Sequence, residues 1–163
     1  AGVGVADLGL LLCNRLGRSA TLVPGQRNGA APGRRPVNTI FAWSASSPAG
    51  VRWLGGTPGG DGQCQWNAQV LAGLLIDGVD VLSALNRPRW TYLPGADKNE
   101  ADQKPHLQVD ASMTAEVRDA LQAAGHTLRV RASVGGAVRV LQRDDSSIHG
   151  LDDGRQEGLT AGI

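Results

Sequence analysis

Short runs of apolar and strand-forming residues, some of which alternate with polar ones, predict most of the strands of this chain. Residues 39–43 and 51–54 are β-like runs around a Ser-Ser-Pro-Ala-Gly turn at 46–50, so we expect a hairpin there. Residues 106–109 predict a short strand, and 128–131 and 137–142 alternate apolar and polar positions as half-buried strands do. The apolar segment 3–12 predicts a buried strand or strand pair, and the Gly-, Pro- and Arg-rich residues 17–36 predict a long loop.

Three helices are predicted from apolar spacing and from the residues that begin and end them. Residues 65–77 are apolar nearly all round, which is typical of a helix buried between layers, and Gly78 follows where a helix can end. Asp80 can cap a second, short helix that must stop before Pro88. Thr114 begins a third helix. Its apolar stripe consists of Val117, Ala120, Leu121 and Ala124, and Gly125 ends it. Strands that flank buried helices predict a layered α+β domain.

Composition excludes several classes of partner. Sixteen Lys and Arg against fifteen Asp and Glu leave a net charge of +1, so there is no electrostatic case for nucleic acid or an anionic membrane surface. The most apolar stretch, 70–79, contains Asp77 and has about half the length needed to span a bilayer. The charged, irregular residues 91–105 are expected on the surface. At 163 residues the chain is long enough for one domain or for half of a larger one, and the second option fits better.

Neither cysteines nor histidines predict a metal or redox site. Cys13 and Cys64 form no disulfide framework and no Cys-x-x-Cys motif, so we interpret both as small buried residues. The three histidines lie in separate segments without partners at metal-ligand spacing, and no cofactor is predicted. Asp152 and Asp153 are interpreted as residues that fix a loop rather than as acid–base groups.

The most distinctive segment is Gly-Gly-Thr-Pro-Gly-Gly-Asp-Gly at 55–62, which leads directly into the first predicted helix. Glycines let main-chain N–H groups approach a reacting atom closely, and a helix start adds unpaired N–H groups and a positive dipole end. Such a turn suits an anion or a developing oxyanion. A purely structural turn is the alternative.

Several segments occur along the chain in one particular order. They are Gly-Leu-Leu-Leu-Cys-Asn-Arg at 9–15, Ala-Pro-Gly-Arg-Arg-Pro at 31–36, the glycine turn, Gln-Val-Leu at 69–71, Ala-Leu-Asn-Arg-Pro-Arg-Trp at 84–90, and Gly-Leu-Asp-Asp-Gly-Arg at 150–155. This order resembles the C-terminal small subunit of the gamma-glutamyltransferase family. The resemblance implies an N-terminal-nucleophile hydrolase, whose α+β fold is a four-layer αββα sandwich.

The resemblance also implies a mechanism of maturation. Family precursors cut themselves, and the new N-terminal threonine of the small subunit attacks an amide, with its own α-amine as the base. Ala-Gly-Val-Gly at 1–4 resembles the family's Phe-Gly-Ser-Gly stretch, which lies downstream of that threonine. Residues 1–163 are therefore expected to be the small-subunit portion of a single αββα domain, which a missing upstream strand and a large subunit complete.

Four site residues follow from matches to the family pattern. Gly59 and Gly60 match the glycines of the oxyanion hole, whose N–H groups stabilise the tetrahedral intermediate. Asn38 and Thr39 fall where the family carries a polar pair, often two serines, that binds the γ-glutamyl carboxylate. Thr39 keeps the hydroxyl group, whereas Asn38 is an amide donor of different shape.

Arg15 and Arg18 depart from the family pattern. They fall near positions that carry glutamine and aspartate, and the aspartate holds the substrate's α-ammonium group. An arginine would repel that ammonium in a poorly solvated pocket, which favours a substrate other than a glutamyl compound. Asp61 either supplies a carboxylate to the site or caps the helix. Trp66 and Trp90 are interpreted as core packing rather than as pocket lining.

Three functions remain open from the sequence. The first is an enzyme that hydrolyses or transfers an amide-like group of a small molecule through an acyl-enzyme, with the large subunit of the same precursor as its partner. The second is a divergent member in antibiotic or other natural-product biosynthesis, which cleaves a C–C bond in an alkylproline-type precursor. The third is an inactive binding remnant, suggested by Ala rather than Thr at residue 1. The composition is typical of a GC-rich bacterial genome, and the cytoplasm is favoured over the periplasm or secretion.

Overall fold

The computed structural model of the chain describes residues 4–11, 20, 23, 25–26, 29–35, 40–94 and 104–158. The chain divides into two compact units, Ala1–Thr39 and Ile40–Ile163. In the first unit, strand β1 (Gly4–Val5) pairs antiparallel with β2 (Leu10–Leu11) across a short 3-10 helix at Ala6–Leu8. The predicted strand pair is confirmed, but its predicted burial is wrong. Its leucines are exposed in this chain.

The described residues of the second unit form seven strands and three helices. The strands are β3 (Ala42–Ser46), β4 (Arg52–Gly56), β5 (Trp90–Leu93), β6 (His106–Asp110), β7 (Leu128–Arg131), β8 (Arg139–Arg143) and β9 (Ile148–Asp152). The helices are α1 (Gly62–Leu75), α2 (Val81–Asn86) and α3 (Ala115–Ala123). No helix of the described residues is long and apolar enough to cross a bilayer.

An antiparallel sheet in the order β3-β4-β8-β9 is the larger of the two sheets in this unit. The predicted hairpin is confirmed as β3 and β4. Its turn is closed by the Ser47 N–H, which donates to Val51 O at 2.9 Å, and Gly50 adopts a positive φ of 87° there. Strand β9 was not predicted from the sequence. It pairs with β8 over its full length, from Arg139 opposite Asp152 to Arg143 opposite Ile148.

Helices α1 and α2 cover one face of this sheet. The core between them consists of Trp53, Val70, Leu74, Val81, Ala84, Leu85, Val138 and Val140. Helix α1 begins three residues before its predicted start. The prediction that α1 is buried on all sides is wrong for this chain, because Cys64 and Leu75 are exposed. The predicted cap of α2 is confirmed, since the Asp80 carboxylate accepts the Ser83 N–H at 2.9 Å.

The smaller sheet has the order β5-β6-β7, with β5 antiparallel and β7 parallel to β6. Helix α3 connects β6 to β7. Its predicted cap is confirmed, because the Thr114 hydroxyl accepts the Val117 N–H at 3.4 Å. Of its predicted stripe, Leu121 packs against the core of Leu107, Val109 and Met113, whereas Val117 is largely exposed. Residues 91–105 were predicted to be irregular, which is wrong for Thr91 to Leu93 because they belong to β5.

The second face of the larger sheet is exposed in this chain. Leu54 of β4 lies opposite Leu141 of β8 on this face, and their side chains are 56% and 45% exposed. In the next row of the same face, Arg52 lies directly opposite Arg143. These residues, with others of β3 and with Ile148, line a cavity of about 610 Å³. Like charges on directly opposed positions destabilise a sheet, so a negatively charged partner beside Arg52 and Arg143 would stabilise this one.

Candidate active site at the glycine turn

The glycine-rich segment divides between a strand and a turn. Gly55 and Gly56 belong to β4, and the turn itself runs from residue 57 to residue 61, where α1 begins. Gly59 and Gly60 both have positive φ, at 131° and 56°. The first value is one that residues with a Cβ rarely adopt, so the turn depends on glycine.

Gly59 and Gly60 use their carbonyls in hydrogen bonds within the turn, whereas their N–H groups have no partner among the described residues. Gly62 N–H donates to Gly59 O at 3.2 Å, and Gln63 N–H donates to Gly60 O at 3.3 Å. Within the described part of the chain, the N–H groups of Gly59 and Gly60 donate no hydrogen bond. They lie at the N-terminus of the 14-residue helix α1, whose dipole adds positive potential. This arrangement can accept an anion.

The indole of Trp66 lies against the turn. A Cβ built on Gly59 would come within 2.1 Å of Trp66 Cζ3, and one built on Gly62 within 2.2 Å of Cζ2. Neither position can therefore carry a side chain while the indole stays in place. The ring is held by its Nε1–H, which donates to Thr91 Oγ1 on β5 at 2.6 Å. The interpretation of Trp66 as a packing residue agrees with these contacts, although its neighbours were not predicted.

A second pair of glycines, Gly135 and Gly136, packs against the same turn although it lies far along the chain. A Cβ on Gly136 would lie 2.5 Å from Pro58 O and 3.0 Å from Trp66 Cζ3. One on Gly135, whose φ is 97°, would lie 3.3 Å from Trp66 Cγ. The Gly135–Gly136 segment thus packs directly on the indole and on the peptide that precedes Gly59.

A buried network of charges holds the second glycine pair. Arg89, which is 1% exposed, donates from Nη1 to Gly136 O at 2.8 Å and pairs through Nη2 with Asp153 at 2.6 Å. Asp153 also accepts the Val138 N–H at 3.3 Å and pairs with Arg155 at 3.1 Å. The predicted loop-fixing role of Asp153 is thereby confirmed. Its partners lie up to 64 residues away along the chain, counted from Arg89 to Asp153.

The network extends to β6 through Arg155, whose Nη2 lies 3.3 Å from Asp110 Oδ2. Burial raises the pKa of Asp110, but hydrogen bonds from Ser112, Val134 and Arg155 outweigh it and leave this pKa below the usual value. Burial lowers the pKa of Arg89, and the neighbouring Asp153 opposes that change. The network is therefore one of compensated charges, and it connects the two sheets behind the turn.

Two glutamines fix α1 on strand β5. The Gln65 amide accepts the Tyr92 N–H at 2.8 Å and donates to Tyr92 O at 3.2 Å. The Gln69 amide makes the same pair of bonds with Trp90, at 3.1 and 3.0 Å. The spacing fits because four helical residues rise about 6 Å and two strand residues rise about 6.7 Å. The helix that carries the turn is thereby held in register with the smaller sheet.

Comparison with known proteins identifies the family of this chain. The family model for gamma-glutamyltranspeptidase matches residues 1–163. The chain belongs to the gamma-glutamyltranspeptidase family. The family resemblance inferred from the order of its segments is thus confirmed.

Two relatives of the chain are proenzymes. It is 28% identical over 166 residues to the oxamate amidohydrolase proenzyme of Klebsiella pneumoniae subsp. pneumoniae, which covers 99% of the chain and 30% of the relative. It is 25% identical over 167 residues to the glutathione hydrolase-like YwrD proenzyme of Bacillus subtilis, which covers 100% and 31%. The chain therefore spans less than a third of either proenzyme.

A solved structure of the family has the same fold. Gamma-glutamyltranspeptidase from Pseudomonas nitroreducens, complexed with L-DON, superposes with a TM-score of 0.77 at 21% identity, over all of this chain and 86% of that one. This likeness confirms the predicted α+β fold of the N-terminal-nucleophile hydrolases, the αββα sandwich of which this chain is a part.

The remaining candidate residues of this gamma-glutamyltranspeptidase-family chain have different outcomes. Asp61 is exposed at the first position before α1, and its side chain makes no capping hydrogen bond, so the capping interpretation is wrong. Arg15, Arg18, Asn38 and Thr39 lie outside the described residues. Among the described residues, no group of three or more His, Cys, Asp or Glu side chains could hold a metal ion.

Proposed function

We propose that this chain is the part of an N-terminal-nucleophile amidohydrolase that supplies the oxyanion hole, through the N–H groups of Gly59 and Gly60. The observation that carries the proposal is the pair of free N–H groups at the start of α1. The nucleophile is an N-terminal threonine outside residues 1–163. Both named relatives are proenzymes, which is consistent with a threonine created by autoprocessing.

The proposed reaction has two halves. The threonine Oγ attacks the amide carbon while the α-amine takes the hydroxyl proton, and the carbonyl oxygen becomes an oxyanion bound by the two N–H groups. Collapse of the tetrahedral intermediate expels the amine, which takes up that proton, and leaves an acyl-enzyme. Water, or an acceptor amine in a transfer reaction, then attacks the ester and regenerates the threonine.

The donor that we propose is a small carboxylate amide without an α-ammonium group. Arg15 and Arg18 occur where glutamyl-specific members hold that ammonium, and two like charges 4 Å apart cost about 1–4 kcal/mol between bulk water and a protein surface. An oxamate-type donor has a carboxylate beside the amide and no ammonium, so an arginine attracts it. One of the named relatives is an oxamate amidohydrolase.

The remainder of the precursor, as a large subunit, packs on the exposed face of the larger sheet. This assignment is part of the proposal, and three features support it. The fold is a four-layer sandwich, the apolar centre of the face is formed by Leu54 and Leu141, and the directly opposed Arg52 and Arg143 favour a partner surface that carries carboxylates.

We expect the change of Leu141 to Lys to prevent association of the two subunits. An ammonium group in a closed apolar interface loses its hydration, and Arg52 and Arg143 in the next row are cations that cannot pair with it. The matched control is Val130→Lys on β7, because Val130 is 47% exposed and Leu141 is 45% exposed. Both variants are made in the full-length precursor, and size-exclusion chromatography followed by a denaturing gel gives the subunit content. Equal retention of the large subunit by both variants contradicts the assignment of this face.

The function is tested with the full-length precursor. N-terminal sequencing and intact mass establish whether it is cut and whether the small subunit begins with threonine. The mature protein is then supplied with oxamate, glutathione and γ-glutamyl-p-nitroanilide, and the acyl-enzyme is trapped by rapid acid quenching and weighed. We expect turnover of oxamate at least about tenfold above both glutamyl compounds, which corresponds to about 1.4 kcal/mol.

Other outcomes of that assay favour the alternatives. Faster turnover of the glutamyl compounds contradicts the proposed role of the arginines but keeps the oxyanion hole. Processing to threonine without any acyl-enzyme from the amides favours C–C cleavage in a biosynthetic pathway. A protein that is not cut, and has no N-terminal threonine, is the inactive binding remnant.

A further inference from the structure

The indole of Trp66 is shared by four glycines that come from two distant segments. Gly59 contacts it from the turn and Gly62 from the start of α1, and Gly135 and Gly136 contact it from the loop before β8. We propose that Trp66 is a positioning residue, which holds Gly59 and Gly60 so that their N–H groups face the oxyanion. This inference rests on the function proposed above and extends it to a residue that acts through the turn.

The helix itself brings the indole under the turn. Side chains in a helix lean toward its N-terminus, so a residue in the second turn covers the residues before it. Trp66 therefore reaches back over Gly62, four positions earlier, and Gly59, seven positions earlier. The Cβ distances of 2.2 and 2.1 Å mean that the backbones of both glycines lie too close to the ring to leave room for a side chain. The backbone of the turn follows the surface of the indole, so a movement of the ring shifts the backbone of Gly59 and Gly60.

Glycines need such a support at this position. Two consecutive residues with positive φ have wide conformational freedom, and an oxyanion hole works only when its donors are fixed before the reaction. The indole is rigid, and two sets of contacts fix it. Its Nε1–H donates to Thr91 Oγ1 at 2.6 Å, and Gly135 and Gly136 pack on it. The neighbouring Gln65 also holds the helix that carries the indole on β5.

The charge network completes the support from behind. Arg89 donates to Gly136 O at 2.8 Å, and a Cβ on Gly136 would lie 2.5 Å from Pro58 O. The peptide that precedes Gly59 is thus confined between the Gly136 backbone and the indole. A tryptophan that only fills space can pack against larger side chains. The glycines on both segments beside Trp66 instead let the backbone of the turn close directly on the ring.

The test uses the mature two-subunit enzyme and the amide that the wild type turns over fastest. For Trp66→Leu we expect kcat to fall about 10²-fold and KM to stay within about twofold, because the oxyanion exists only in the transition state. The matched control is Trp53→Leu. Trp53 is a buried tryptophan whose Nε1–H also donates to a side chain, Gln142, but which belongs to the core under the sheet.

We expect Trp53→Leu to lower Tm at least as much as Trp66→Leu while its kcat stays within about twofold of the wild type. Equal losses of kcat in both variants overturn the proposal, because they make the effect one of stability. A wild type that forms no acyl-enzyme overturns the proposed function itself, and this role with it. Normal kcat in Trp66→Leu beside an active wild type overturns only the positioning role.

Two further variants keep the test decisive if Trp66→Leu does not fold. Trp66→Phe retains an aromatic ring but removes the bond to Thr91 and the benzo ring that lies against Gly59 and Gly62, so we expect a fall in kcat of about tenfold with unchanged KM. Gly62→Ala places a Cβ 2.2 Å from the indole and should lower kcat by a similar factor. In a Trp66→Phe background, where the benzo ring is gone, the alanine should have less effect than in the wild type. Additive effects contradict the proposal.

Discussion

Replacing Gly59 with alanine should lower kcat by about 10²–10³-fold, which is the effect of losing one donor from an oxyanion hole. Alanine is strained at a φ of 131°, and its Cβ would lie 2.1 Å from Trp66 Cζ3. The turn must therefore move, and the N–H groups of residues 59 and 60 move with it. KM should change little, because the oxyanion is absent from the ground state. Steady-state kinetics of the mature enzyme on its fastest amide measures both constants.

A matched variant separates backbone strain from loss of the donor. Gly125 ends α3 with a φ of 93°, and no atom lies within 4 Å of a Cβ built on it. Gly125→Ala should cost about 1–3 kcal/mol of stability and leave kcat unchanged. If Gly59→Ala keeps the wild-type kcat, the Gly59 N–H does not bind the oxyanion.

Replacing Asp153 with alanine should destabilise the protein by about 3–5 kcal/mol. Arg89 would remain buried without its ion-pair partner, and the Val138 N–H and Arg155 would each lose one acceptor. This loss is a large part of the 5–15 kcal/mol that stabilises a typical domain, so partial unfolding or poor expression is expected. Urea denaturation of the full-length protein, followed by tryptophan fluorescence, measures the change in free energy of unfolding.

The control for this variant is a carboxylate in an exposed ion pair. Asp77 pairs with Arg87, and both side chains are close to half-exposed. Asp77→Ala should cost less than about 1 kcal/mol, since water screens both charges and the gain from pairing is small. Similar costs for the two variants would show that burial does not decide the contribution of the Asp153 network.

The local sequence was sufficient to predict the helices and strands that begin or end at recognisable cap or turn residues. The caps Asp80 and Thr114 depend on hydrogen bonds three residues away, so their spacing could be read from the sequence. The β3–β4 hairpin was predictable because its β-like runs directly flank a turn sequence. Strand β5 was missed because a charged, irregular segment follows it, and the groups that fix its outer edge belong to helix α1.

The candidate site was only partly predictable for a physical reason. Glycines at 59 and 60 could be recognised as a turn before a helix, but their support comes from Gly136 and Arg89, which are 77 and 30 residues from Gly59 and follow no periodic pattern. Asp153 was assigned to a loop, whereas its buried partner Arg89 could be found only from contacts. Arg15, Arg18, Asn38 and Thr39 were inferred from the family pattern and remain predictions.

The pairing of Gln65 and Gln69 with strand β5 has a consequence for solubility. An edge strand with free N–H and C=O groups is a template on which a strand from another molecule can add. On the outer edge of β5, the backbone groups of Trp90 and Tyr92 are already bonded to the two amide side chains. The glutamines thus act as a substitute strand that cannot be extended further, and they protect this edge from intermolecular β-sheet growth.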